Sequence, residues 1–215
     1  EISEDEQSRR ERVREVGSGI VAFSSSSESP NVCFTSDGML YAANLDSKDI
    51  KGFETVGSVF DPQINPHGSL IAYVSDGDLR YIDSSGNDFL VIGSEDQNKS
   101  HGVADFIAAE EMGRRRGYWW SPRGDRLLVT EVDNSNVFNW HILSSADPSS
   151  PPRSLRYPKA GTNNPEVKLW VYTLEGDGLQ IDWSQSAFWE YLVNVQWTQE
   201  SSIYLTVQTR DQKSM

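Results

Sequence analysis

Two adjacent carboxylates, Glu110 and Glu111, stand in a stretch of small and apolar residues, Ala104-Asp105-Phe106-Ile107-Ala108-Ala109-Glu110-Glu111-Met112. A short basic run then leads into Gly117-Tyr118-Trp119-Trp120-Ser121-Pro122. Paired carboxylates suit a primary ammonium group, which has three donors and no acceptor. Two carboxylates and one further acceptor satisfy it, through charge-assisted bonds that are stronger than neutral ones. Spacing alone leaves a second reading open, because Glu-Glu pairs are also common on solvated helix faces. Neighbouring helical residues point about 100° apart. Two carboxylates that serve one cation therefore call for a short or irregular helix, approached from different sides.

No other set of residues offers a reaction. A Gly-x-Ser-x-Gly nucleophile elbow is missing, and the nearest string, Gly17-Ser18-Gly19, follows a predicted helix instead of a strand. His67, His101 and His141 are scattered and fit no helical metal motif, and no phosphate-cradling glycine loop occurs. The single cysteine, Cys33, excludes an internal disulfide and a multi-cysteine zinc site, and its neighbours Val32 and Phe34 mark it as a buried small hydrophobe. No cofactor and no metal is expected. The net charge of -13 opposes binding to nucleic acid and to anionic membranes. In so acidic a chain Arg114-Arg115-Arg116 reads as a solvated turn. No apolar run approaches the roughly 20 residues of a membrane span, and no signal-peptide pattern occurs; the expected location is cytoplasmic.

The elements that must carry the glutamate pair are mostly strands. Residues 1–18 are densely charged with mixed sign and rich in helix formers, which predicts a helical surface arm that stops at Gly17. From 19 to 215 short apolar or alternating runs, among them IVAF, CFTSDGMLYAANL, LIAYVSDGDLRYID, FLVIG, RLLVTEV, VKLWVYTL and SIYLTVQ, are broken by Gly, Asp, Asn and Ser. They read as successive antiparallel strands. A turn-then-strand phrase recurs at Thr35–Tyr41, Asn65–Ile71, Ser121–Leu127 and, degraded, at Thr198–Tyr204, which is how propeller blades look in sequence. The predicted fold is all-β: a partial β-propeller of roughly four blades. A short helical insertion over about 101–116 carries the glutamates, and a proline-rich extended loop runs from Ser144 to Pro165.

The stretch HGVADFIAAEEMGRRRGYWWSPRGD resembles the substrate-recognition insertion of the dipeptidyl peptidase IV family of serine peptidases, in which an acidic pair precedes an aromatic strand ending in Trp-Ser-Pro. LRYPKAGTNNPEVKLWVYTL is similar to the same family's Tyr-Pro-x-Ala-Gly-x-x-Asn-Pro-x-Val stretch, in the same order. RRERVREVGSGIVAF and VFDPQINPHGSLIAYVSDGDLRYID look most like the subgroup of cytosolic dipeptidyl peptidases eight and nine. The resemblance implies part of an eight-bladed propeller that caps an α/β-hydrolase domain of the same polypeptide. It implies that Glu110 and Glu111 hold the free N-terminal amine of a peptide, that release of two residues with Pro or Ala second follows from that anchor, and that Arg14 reaches the substrate carbonyl. Gly117, Tyr118, Trp119 and Trp120 match the family as propeller core. The family's catalytic serine, aspartate and histidine have no counterpart in these residues. Two rivals stand beside this reading: a stand-alone interaction module, and the propeller of a catalytically inactive family member. Open strand edges in an incomplete ring invite association, so a homodimer is a further expectation.

Overall fold

A computed structural model describes residues 19–20, 22–143, 151–184 and 188–215. The predicted arm over 1–18, Arg14 with it, and residues 144–150 of the predicted loop lie outside the described residues. Within them the regular structure is antiparallel strand apart from one short helix. The first sheet takes β1 (Phe23–Ser25), β2 (Asn31–Ser36), β3 (Met39–Asn44) and β4 (Ile50–Phe53) in that order. The second repeats the pattern with β5 (Phe60–Ile64), β6 (Leu70–Ser75), β7 (Asp78–Asp83) and β8 (Asp88–Ile92).

The third sheet is built differently at its first strand. Its β11 (Arg126–Asp133) pairs on one side with β14 (Glu166–Thr173), which pairs in turn with β15 (Gly178–Ile181). On its other side β11 meets two short strands, β9 (Lys99–His101) and β10 (Tyr118–Trp120). Between them lies the six-residue helix α1 (Phe106–Glu111). A hairpin of β12 (Asn139–Ile142) and β13 (Arg153–Arg156) projects between β11 and β14, and β16 (Tyr191–Trp197) pairs with β17 (Ile203–Gln208) as a two-stranded fourth sheet.

Side-chain alternation explains why the sheets stack face to face. Successive strand residues point to opposite faces, and along β6 Ile71 and Tyr73 join one buried cluster with Cys33, Leu40 and Phe53 of the first sheet. Ala72 and Val74 join another with Tyr118, Leu127, Val129 and Tyr172 of the third. In β11 Leu127 and Val129 face the second sheet while Leu128 faces a third cluster with Leu169, Leu192 and Val195. A strand buried on both faces reads as a nearly continuous apolar run, which is why the buried stretches Ile71–Val74 and Leu127–Val129 carry no charged residue.

The turns at one edge tie the sheets together. In the second, third and fourth sheets the repeated phrase forms the turn between the first two strands: Asn65–Ser69, Ser121–Asp125 and Thr198–Ser202. Thr35–Tyr41 is not a member of that set, because it joins the second and third strands of its sheet. The true counterpart is residues 26–30, a serine-rich turn that no Gly or Asp-Gly marks. Its Glu28 amide donates to the Pro66 carbonyl at 3.0 Å, and Asn31 donates to the Gly68 carbonyl at 2.9 Å. His67 spans three sheets: Nδ1 is 2.7 Å from Glu28 Oε2 and Nε2 is 2.8 Å from the Arg123 carbonyl.

The predicted loop from Ser144 to Pro165 needs correction as well. Residues 153–156 are the return strand of the hairpin, paired in register with 139–142, so the prolines at 151 and 152 precede the ladder and interrupt nothing. IVAF is also displaced, since the first strand begins only at Phe23.

Candidate functional site

The helical insertion begins and ends at one rung of the third sheet. His101 pairs with Glu131 and Tyr118 with Val129. The single residue between those partners, Thr130, serves both legs of the excursion: its carbonyl accepts from the Gly102 amide at 2.9 Å, and its amide donates to the Gly117 carbonyl at 2.8 Å. The Thr130 hydroxyl, fully buried, lies 2.8 Å from the Val103 carbonyl and 3.0 Å from that of Gly117, and donates to one or the other. Chain leaving at 102 and returning at 117 forms a neck with no room for side chains. A Cβ at Gly117 would stand 2.3 Å from the Val103 carbonyl carbon and oxygen. Gly102 holds φ at +78°, a conformation other residues rarely adopt.

Above the neck, Asp105 starts the helix. One carboxylate oxygen accepts from the Ala108 amide at 3.0 Å, the usual N-cap contact. The other oxygen accepts from Arg114 Nη2 at 2.8 Å. Arg114 is only 6% exposed. Its Nε donates to the Leu192 carbonyl in β16 and its Nη1 to the Arg116 carbonyl, both at 3.0 Å. Burial pulls the guanidinium below its ordinary value, and the neighbouring Asp105 charge opposes that pull. Arg116 in turn donates through Nε and Nη2 to the Asp61 carboxylate at 3.0 and 3.2 Å, binding the insertion to the second sheet. The expectation of a solvated basic turn thus fails outright at Arg114; Arg115 is exposed, and the Arg116 side chain, though paired, is still 42% exposed. The physical reason is that the Arg114 guanidinium meets a carboxylate brought to it by the fold, which makes its burial tolerable.

This frame presents the glutamates. Glu110 and Glu111 are the last two residues of α1 and both are exposed, while Ala108 packs inward at 1% exposure. The helix is closed by Met112 and by Gly113 at φ +71°, across which the Arg114 amide donates back to the Ala108 carbonyl at 2.9 Å. Two negative charges at a helix C-terminus sit against the negative end of the backbone dipoles, so this end of α1 favours the arrival of a cation. The second recognised stretch meets the first here: Tyr157 packs edge-on to Phe106 at 5.2 Å, and Asn164 and Pro165 line a small crevice with Ile107, Ala108 and Met112. Asn164 is itself held by the Glu190 carboxylate at 2.8 Å, to which Arg210 also donates at 2.8 Å.

The aromatic residues after the insertion serve as support. Tyr118 is fully buried with its hydroxyl between the Asp61 and Ala72 carbonyls, and Trp120 donates to the Gln63 carbonyl at 2.9 Å. Trp119 takes a bond from Trp197 of the fourth sheet at 3.2 Å. Asp105, Arg114, Thr130 and Gly102 escaped the sequence reading. The pair of glycines bracketing the predicted insertion was the one local signal of a tight neck.

Stacked four-stranded sheets joined through shared cores, with a helix-bearing excursion from the first strand of one of them, define a propeller segment that displays an acidic pair. Residues 20–215 match the family described as the dipeptidyl peptidase IV (DPP IV) N-terminal region, and the chain belongs to that family. It is 30% identical over 145 residues to dipeptidyl aminopeptidase B of Saccharomyces cerevisiae, a match covering 60% of this chain and 17% of that protein. It is 36% identical over 99 residues to human dipeptidyl peptidase 8, covering 41% of this chain and 11% of that one. The crystal structure of Porphyromonas gingivalis dipeptidyl peptidase 4 superposes with a TM-score of 0.71 over 89% of this chain and 27% of its own, at 21% identity, a likeness of fold. The chain therefore spans a small part of the relatives it matches. Among the described residues no helix is long and apolar enough to cross a membrane.

Proposed function

We propose that the chain is the substrate-recognition part of a serine dipeptidyl peptidase, in which Glu110 and Glu111 hold the α-ammonium of a peptide with a free N-terminus. The observation that carries this is the pair of exposed carboxylates at the C-terminal end of a helix braced to three sheets. A side-chain pair meant only for solubility needs no such bracing. An ammonium between two carboxylates gains charge-assisted bonds and relieves the repulsion of two like charges at the helix end. Holding the amine at a fixed place limits cleavage to a fixed number of residues from it, and the preferred products are Xaa-Pro and Xaa-Ala dipeptides. The hydrolysis itself, by a serine nucleophile through an acyl-enzyme, belongs to an α/β-hydrolase domain of the same polypeptide. Arg14, from the segment before the first sheet, is assigned to the substrate carbonyl, and the protein acts in the cytoplasm, with self-association as a homodimer.

Calorimetric titration of the chain with the tripeptide Ala-Pro-Ala, free and N-acetylated, tests the reading. The free peptide binds and the acetylated one loses at least about tenfold in affinity, the loss of one charge-assisted contact. Glu110→Gln and Glu111→Gln each reduce the preference while leaving the melting temperature unchanged, as expected of exposed side chains. Equal binding of both peptides sinks the proposal.

A further inference from the structure

We infer that Arg114 is a positioning residue for the amine-holding pair, an inference that rests on the reading of Glu110 and Glu111 just given. Both glutamates are exposed and close α1, so where their carboxylates stand depends on where that helix stands. The helix is held at the neck by Thr130, through the insertion by the Arg116–Asp61 pair and by Phe106 against Tyr157, and Arg114 adds the attachments made at both ends of the helix itself. One guanidinium joins the Asp105 carboxylate that caps the start of α1, the Arg116 carbonyl at the returning leg and the Leu192 carbonyl of the neighbouring sheet. Its own amide closes the end of α1 on the Ala108 carbonyl. Start, end and outer support of the helix thus converge on one residue, and one of those supports belongs to a different sheet from the neck.

A lysine cannot reproduce this. Its ammonium keeps the charge opposite Asp105, but it lacks the planar fork that reaches several acceptors at fixed angles. Removing one partner of a buried ion pair leaves the other charge uncompensated and is itself destabilising, so orientation is read below the onset of melting and stability is measured beside it.

The chain, Arg114→Gln and Arg114→Lys are titrated with Ala-Pro-Ala and its N-acetylated counterpart at a temperature below the onset of melting for each protein, with amide hydrogen exchange followed in parallel. Arg114→Gln lowers the preference for the free amine at least about tenfold, and Arg114→Lys falls between it and the parent. Exchange rises across 103–112 and stays unchanged in β6 and β11. Should Arg114→Gln fail to fold, the lysine variant decides. A folded variant that keeps the parent's preference within about twofold overturns the role of Arg114 and leaves the glutamate reading intact. A parent that shows no preference overturns both.

Discussion

Replacing Gly117 by alanine probes the neck directly. The added methyl would stand 2.3 Å from the Val103 carbonyl carbon and oxygen and 2.4 Å from the Gly102 carbonyl carbon, all backbone atoms. Comfortable carbon contacts begin near 3.5 Å, so the two legs must part by about 1 Å. Thr130 cannot follow both: its amide bonds the Gly117 carbonyl at 2.8 Å while its carbonyl takes the Gly102 amide at 2.9 Å, and β11 is fixed on its far side by β14. Overpacking a tight site costs about 1–3 kcal/mol and the buried polar group that loses its partner about 1–3 kcal/mol, about 2–6 kcal/mol together. For a domain of this size that lowers the melting temperature by about 4–24 °C. The control is Gly113→Ala, at φ +71° with open space around its Cα, which carries only the left-handed strain of about 1–2 kcal/mol. Circular-dichroism melts and urea titrations measure both. If Gly117→Ala melts within about 2 °C of the parent, or no lower than Gly113→Ala, the neck is not the constraint argued for.

Two further outcomes follow from the turns and the core. The Glu28 carboxylate raises the His67 pKa first, with the Arg123 carbonyl adding to it, because an imidazolium can donate to both acceptors and a neutral ring to only one. A raised folded value places this contribution fully below the ordinary histidine value of about 6.5 and removes it as pH rises through the higher folded value. The melting-temperature gap between the parent and His67→Gln therefore closes on going from acidic to alkaline buffer; a gap that widens refutes the latch. Burial pushes the Cys33 thiol up to about 12, so reaction with a thiol reagent at neutral pH reports opening of the first core. Its rate rises with urea in step with unfolding, and rapid labelling of the native chain would contradict that.

Legibility in the sequence followed the range of the interactions involved. Runs such as Leu70–Ser75 and Arg126–Asp133 announce themselves because burial on both faces leaves a local mark. The insertion was visible because an apolar, helix-forming segment interrupts strands. The arginine run was misread for the opposite reason: Arg114 meets the Leu192 carbonyl 78 residues away and Arg116 meets Asp61 at a separation of 55. Nothing within the run itself reveals a buried partner. The division of one strand into Lys99–His101 and Tyr118–Trp120 is hidden likewise, since it exists only through their common pairing with β11. Thr35–Tyr41 misled because an Asp-Gly turn looks alike wherever it falls in a sheet, whereas the counterpart at 26–30 has no such signature. The glutamates stood out by type, and their bracing did not.

The shared rung at Thr130 also bears on how such a chain can change over time. Since departure and return coincide, everything between 102 and 117 is a parenthesis in the ladder: it can be lengthened, shortened or rewritten without shifting the register of Tyr118 against Val129. Selection, or a protein engineer, can then exchange what the scaffold grasps as one cassette, provided the two glycines and the threonine that clasp it are kept.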